Sequence, residues 1–297
     1  MRWAVRRPRQ PADKETMSEV AYVNGVYGPI AEAKVSIEDR GFQFGDGVYE
    51  VIVAYNGKPF LLDRHMRRLR KSAAGISLDY DFDGKPLEPI IGEGLRRSEL
   101  GDAMVYLQIT RGVAPRSHAI PPGVTPTVVM TFKPLPALPE ELRRHGARVV
   151  TTLDTRWAHC YIKAITLLPN ILAKSDAICR GYDDAVFVTA AGEVRECTSA
   201  NIFAIKEGAI RFPLRTESIL HGVTQGYLLE LARAAGLRVQ EESVSVDSLR
   251  NADEVFMSGT VGEVLAITSI DDRPVGNGNV GPITQRLYDE FIRKARS

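Results

Sequence analysis

No apolar run in this 297-residue chain approaches the ~20 residues that a bilayer-spanning helix needs, so a membrane role finds no support. Cysteine is scarce as well, with Cys160, Cys179 and Cys197 odd in number and forming no C-x-x-C pair. That composition excludes a disulfide-stapled secreted scaffold and reads, with no apolar leader visible, as free thiols in a reducing cytoplasm. Charge of one sign is also missing: 38 Lys and Arg stand against 37 Asp and Glu, a net +1. Five of the basic and two of the acidic groups fall in residues 1–16, so the body is near neutral and carries no mark of nucleic-acid binding. H-E-x-x-H and G-x-S-x-G are absent, which removes zincin and α/β-hydrolase chemistry, and no metal-ligand set is read.

What remains is a globular composition, 44% hydrophobic and 25% charged, long enough for two domains. Residues 1–16 read as a disordered basic extension, with patterned sequence from Met17. Asn24-Gly25 and Asn56-Gly57 have the form of two-residue hairpin turns between β-rich runs. In "DRHMRRLRKSAAG", Met66, Leu69 and Ala73 share one helical stripe and Gly75 reads as the stop. With strands at "AMVYLQITRG" and "TPTVVMTF", residues 17–132 make a small α+β domain. Three prolines in 133–141 suggest a linker. Residues 142–297 then read as a larger α+β domain. Its strands are "ARVVTTL", "DAVFVT", "NIFAI", "AIRFP", "EVFMSGT" and "EVLAIT". Its helices run through "LLPNILAKSDAICRG", "HGVTQGYLLELARAAG" and "GPITQRLYDEFIRKAR".

Several positions invite chemistry, each with a plain alternative. Lys163 sits between Ile162 and Ala164 in "YIKAITLL", so its ammonium either snorkels to water or is held inward. His221 to Thr224 open a helix whose free N–H groups suit an anion, unless Thr224 or Ser218 simply caps it. Glu196 enters a strand and needs a partner, which would be Arg195 if the pair were only a surface salt bridge. Arg116 and His118, on a Pro/Gly loop, would suit capture of a carboxylate, or only solvent. Arg68 lies among basic residues on its helix, and Thr260 in the small-residue cluster "MSGTVGEV". The glycines of "RGFQFGDGVYE" match neither a dinucleotide nor a P-loop fingerprint and read as a turn feeding the strand of Tyr49.

Taken in order, "RGFQFGDGVYEV", "RHMRRL", "ITRGVAPRSHAIPP", "RWAHCYIKAITLLPNILAK", "ECTSANIF", "ILHGVTQG" and "MSGTVGEV" resemble the pyridoxal-phosphate enzymes of fold type IV. The likeness covers residues 20–297, and the Arg-x-His element is similar to the carboxylate trap of the D-amino-acid aminotransferase subgroup. The resemblance implies a two-domain α+β fold with pyridoxal 5'-phosphate as cofactor. It makes Lys163 the Schiff-base lysine and Glu196 the carboxylate facing the pyridine nitrogen. Arg68, the backbone at Val223 and Thr224, and Thr260 become the phosphate cup, with Leu220 packed on the ring. Tyr49, Arg116 and His118 become substrate-carboxylate binders, the Arg116/His118 loop reaching over from the other subunit of a homodimer. The implied reaction moves an amino group between a D-amino acid and a 2-oxo acid, ping-pong via pyridoxamine phosphate. An aminodeoxychorismate lyase-like elimination, and transamination of branched-chain L-amino acids or (R)-amines, remain alternatives within the group. Cys197 departs from the pattern, where glycine is frequent. An ordinary lysine, pKa ~10.4, is a poor nucleophile at neutral pH, so an apolar setting is required of Lys163.

Overall fold

The computed structural model describes residues 19–297, so the basic extension read at 1–16 lies outside the described residues. The first half forms β1 (Val20–Val23), β2 (Val26–Pro29), α1 (Arg40–Phe44), β3 (Gly47–Tyr55) and β4 (Lys58–Pro59). Helices α2 (Leu62–Gly75) and α3 (Glu88–Ser98) follow, then β5 (Ala103–Thr110) and β6 (Thr127–Pro134). The six strands make one sheet in the order β2-β1-β6-β5-β3-β4. Both predicted turns form: Asn24 and Gly25 have φ of 45° and 101°, and Asn56 and Gly57 have 51° and 76°. These are the positive angles that a right-twisted hairpin requires.

Two glycines do more than their sequence context suggests. Gly75 is the last residue of α2, where the sequence places the stop, but the left-handed residue after the helix is Ser77, with φ 50°. A Cβ at Gly75 would stand 2.8 Å from Ile162 Cδ1, so glycine here permits close approach of the segment carrying Lys163. Helix α3, absent from the sequence reading, contains Gly92 and Gly94, which lower helix propensity by ~1 kcal/mol each. A side chain at Gly94 would overlap Phe132, with Cβ 1.9 Å from its Cζ, so packing on β6 overrides propensity.

The second half begins with α4 (Glu140–His145), β7 (Ala147–Leu153), α5 (Leu168–Cys179), β8 (Asp184–Val188) and β9 (Val194–Cys197). It continues with β10 (Asn201–Lys206), β11 (Ala209–Pro213), α6 (Val223–Ala234), β12 (Arg238–Glu242) and α7 (Val246–Arg250). Strands β13 (Glu254–Gly259), β14 (Glu263–Ile270) and β15 (Arg273–Pro274) precede α8 (Pro282–Ala295). The nine strands form a mixed sheet, β12-β11-β10-β13-β14-β7-β8-β9, with β15 beside β14. The edge strand β12, "RVQEE", escapes the sequence reading because an exposed edge is written in charges.

One core lies between the first sheet and helices α2 and α3, and Ile162 and Ala164 belong to it. Another is shared by both halves: Val53 and Tyr55 of β3 pack with Phe203, Phe256 and, from α8, Phe291. The architecture is α+β, with two sheets flanking a cleft. No helix among the described residues is long and apolar enough to cross a membrane.

Candidate active site

The segment bearing Lys163 is irregular but tightly held. Tyr49 donates its N–H to the Lys163 carbonyl at 3.0 Å, and Ile165 donates to the Gly47 carbonyl at 3.1 Å. The Lys163 N–H reaches Ser72 Oγ at 3.0 Å. Because Ile162 and Ala164 face the first core, the alternation of the chain turns Lys163 the other way, into a cavity of about 560 Å³ between the two halves. Its Nζ lies 4.1 Å from the Tyr49 ring centroid, in cation–π contact. Burial, and next the Arg68 charge, lower its pKa to about 8, against the opposing pull of Glu50 and Glu196. The ammonium is held inward.

At one end of the cavity α6 opens on Gly222 with no side-chain cap, so neither Thr224 nor Ser218 takes up its N-terminal amides. A Cβ at Gly222 would come within 2.0 Å of Asn201 Oδ1, which keeps this turn glycine. Val223, Thr224 and, from the turn after β13, Thr260 line the same end. Arg68 points here from α2, its Nε and Nη2 bound to Glu50 at 2.7 and 2.8 Å and its Nη1 to the His221 carbonyl at 3.3 Å. Five guanidinium N–H groups exceed these bonds, leaving donors for a ligand. Glu50 is fully buried, which would raise its pKa, but Arg68 and His65 outweigh burial and bring it down to about 2. Ser258 Oγ, buried on the same wall, has no protein partner. Unsatisfied donors around a free helix N-terminus are suited to an anion, and this end of the cavity is a candidate anion cup.

A carboxylate stands elsewhere on the wall. Glu196, 5% exposed at the end of β9, is pushed up in pKa by burial, with Arg156 and the Leu220 N–H pulling the other way. Its partner is not Arg195, which pairs with Glu193 at 3.5 Å. Arg156 Nη1 donates to Glu196 Oε1 at 2.6 Å, while its Nε and Nη2 grip Asp154 at 2.9 and 2.8 Å. Oε2 has only the Leu220 N–H at 3.2 Å and Asn201 Nδ2 at 3.4 Å, so it retains capacity to accept from a ligand.

Tyr49, Arg68, Lys163, Glu196, Leu220, Val223, Thr224 and Thr260 thus line one cavity. Arg116 and His118 do not. They are exposed on the loop after β5, the Arg116 guanidinium over the Phe44 ring at 4.6 Å and His118 edge-on to it at 5.7 Å. Glu50, Asp154 and Arg156 escape the sequence reading. A glutamate amid the apolar run "GVYEVIVAY" is the one signal that could have found the first of them.

The donor set fits a cofactor with an anionic group at one end, a protonatable ring nitrogen for Glu196, and a carbonyl that an amine of lowered pKa can reach. Pyridoxal phosphate has those features. The profile of amino-transferase class IV matches residues 47–270. The D-alanine aminotransferase of Bacillus licheniformis is 41% identical over 264 residues, 89% of this chain and 93% of its own. That of Staphylococcus haemolyticus is 38% identical over 277 residues, covering 93% and 98%. Among solved structures, the Escherichia coli branched-chain amino acid aminotransferase superposes with a TM-score of 0.84 at 27% identity, covering 93% of each chain. A branched-chain amino acid aminotransferase from "T.th.", solved with pyridoxamine 5'-phosphate, gives 0.87 at 29%, covering 94% and 95%. The likenesses run over nearly the whole chain, and the chain belongs to the class IV, fold-type IV aminotransferases, which work with pyridoxal phosphate.

Proposed function

We propose that this protein transfers the amino group of a D-amino acid such as D-alanine to a 2-oxo acid. The observation that carries the reading is Lys163, an amine of pKa near 8 on the wall that also carries the anion cup and Glu196. Arg68 and the α6 amides at Val223 and Thr224 would hold the cofactor phosphate, with Thr260 beside them. Leu220 would pack on the ring and Glu196 would face the ring nitrogen, its Oε1 being held by Arg156. Bound there, pyridoxal phosphate supplies an electron sink for negative charge at the substrate Cα. Lys163 takes the proton from Cα and returns it during product formation, a task suited to a base titrating near working pH. Tyr49, its pKa raised to about 12 by burial, remains a phenol and donates to the substrate carboxylate.

Arg116 and His118 supply the rest of the carboxylate contact by reaching into the cavity of a second copy. An apolar surface around them, with Val35, Ile37, Phe42, Val113 and Ile120 exposed, supports a homodimer burying this face. The division read from the sequence, 17–132 and 142–297 joined through 133–141, is kept as two domains, with β6 and α4 taking up the two ends of the join, and the free state of all three cysteines fits the cytoplasm.

Chirality follows from which side of Cα the carboxylate is held while the Cα–H faces Lys163. Identity of 38–41% to D-alanine aminotransferases, against 27–29% to branched-chain enzymes of similar shape, favours the D reading. The test is pyruvate formation from D- and L-alanine with 2-oxoglutarate as acceptor. Turnover of D-alanine at least ~100-fold faster is expected, a margin of only ~2.7 kcal/mol. Faster conversion of L-alanine or L-leucine would move the protein to the branched-chain reading.

A further inference from the structure

Arginine is rarely buried without a purpose, and Arg40 on α1 is 3% exposed. Its Nε donates to Asp46 Oδ2 at 2.8 Å, and Arg111 grips the same carboxylate at 2.8 and 3.0 Å. The remaining arm of Arg40, Nη1, donates to the main-chain oxygen of Ser117 at 2.6 Å. Ser117 stands between Arg116 and His118; its carbonyl belongs to the Ser117–His118 peptide, so the bond fixes that plane and anchors the loop between the two side chains. Phe44, under the Arg40 guanidinium at 4.9 Å, also supports Arg116 and His118 from beneath. The start of the loop is pinned from the same turn, Arg40 N–H to the Gly112 carbonyl at 2.9 Å.

We propose that Arg40 is the positioning residue of the Arg116–His118 carboxylate hook. The proposal rests on the reading that those two side chains hold the substrate carboxylate. A buried guanidinium is a costly way to satisfy one loop carbonyl, because its desolvation must be offset by Asp46. What it gives in return is a short, charge-assisted bond at the middle of an otherwise exposed loop. The hook is thereby ordered before substrate arrives, and less of the binding energy goes into ordering it. Asp46 also lies on the wall of this chain's own cavity, so one carboxylate anchors both the wall and the loop.

The experiment compares holoenzyme variants Arg40→Lys, Phe44→Leu and Arg116→Ala with wild type. Lysine keeps a charge for Asp46 but cannot span to Ser117 O as well. Arg40→Lys is expected to raise KM for D-alanine and the inhibition constant of propionate roughly tenfold, with kcat within about twofold, as befits loss of binding common to ground and transition state. Its half-reaction with (R)-1-phenylethylamine, which has no carboxylate, stays unchanged. Phe44→Leu, which leaves Arg40 intact, gives a smaller rise of the same kind. If Arg116→Ala raises both constants but Arg40→Lys and Phe44→Leu leave them at wild-type values, the positioning role is wrong. If Arg40→Lys slows the carboxylate-free amine equally, its role is general structure and the proposal falls. If Arg116→Ala itself changes neither constant, the carboxylate reading of the hook is wrong and this proposal goes with it.

Discussion

Lys163 illustrates how far a single side chain depends on what its neighbours require. Ile162 and Ala164 enter an apolar core, and the chain has no choice but to turn the intervening amine into the cavity. The cofactor-free protein bears the cost of that placement. Its folded pKa of about 8 lies below the ordinary 10.5, so the unfolded chain binds more protons between those values. Stability of the cofactor-free form should therefore rise as pH goes from about 8 to 10.5, with the full cost present below 8. Lys163→Met should abolish that slope and stabilise the cofactor-free protein at pH 7 by up to ~3 kcal/mol. Urea unfolding of both proteins across pH 7 to 10.5 reads this out, and a variant no more stable at pH 7 than wild type would refute it. At this scale the sequence was informative where a charge interrupts an apolar run, as at Lys163, or where a carboxylate enters a strand, as at Glu196. It was silent on Arg156, 40 residues from its carboxylate partner, because nothing local marks an arginine whose role is set by tertiary contact.

Helix α2 presents Arg68 to the anion cup, Ser72 to the Lys163 backbone and Gly75 to Ile162. One element therefore sets both the cup and the amine. Gly75→Ala would gain up to ~1 kcal/mol of helix propensity. Its Cβ, 2.8 and 2.9 Å from Ile162 Cδ1 and Cγ1, would cost ~1–3 kcal/mol by overpacking and push the lysine segment outward. The expected outcome is a melting temperature within a few degrees of wild type but pyridoxal phosphate bound several-fold more weakly, measured by titration of the cofactor-free protein. Unchanged affinity would mean that the segment absorbs the methyl group without moving. Strands and helices with clean periodicity and caps were legible from sequence. Gly75 does end α2, but its close approach to Ile162 was not legible, because a glycine that permits close approach looks the same in sequence as one that ends a helix. Helix α3 was hidden by Gly94 for the same reason, and β12 by its edge charges.

Across the whole molecule, the two sheets are tied by more than the chain between them. Tyr55 at the end of β3 donates its hydroxyl to Glu263 Oε1 at 2.9 Å, and Arg143 of α4 pairs with the same carboxylate. Around them Val53, Phe203, Phe256 and Phe291 form one apolar cluster drawn from both halves. Neither sheet can lose its packing without exposing part of this cluster, so unfolding should be a single cooperative event. Hydrogen exchange under rising denaturant should deprotect β5 and β13 together. Loss of β5 protection while β13 persists would show that the halves melt separately. The sequence suggested two units but not this union, since hydrophobic periodicity reveals that a face is buried without revealing against what.

The Tyr55–Glu263 contact joins residues 208 positions apart. During synthesis, β3 leaves the ribosome long before β14 and α8 exist to cover it, and Tyr55 and Val53 wait exposed in the interval. Lys163 is hydrogen-bonded to the other end of β3, and Thr260 lies on the turn that Glu263 terminates, so both walls of the cavity hang on β3, β14 and the contact between them. The cavity of this protein is therefore assembled late in the chain, because its walls wait for β9, which carries Glu196, and for the turn after β13, which carries Thr260.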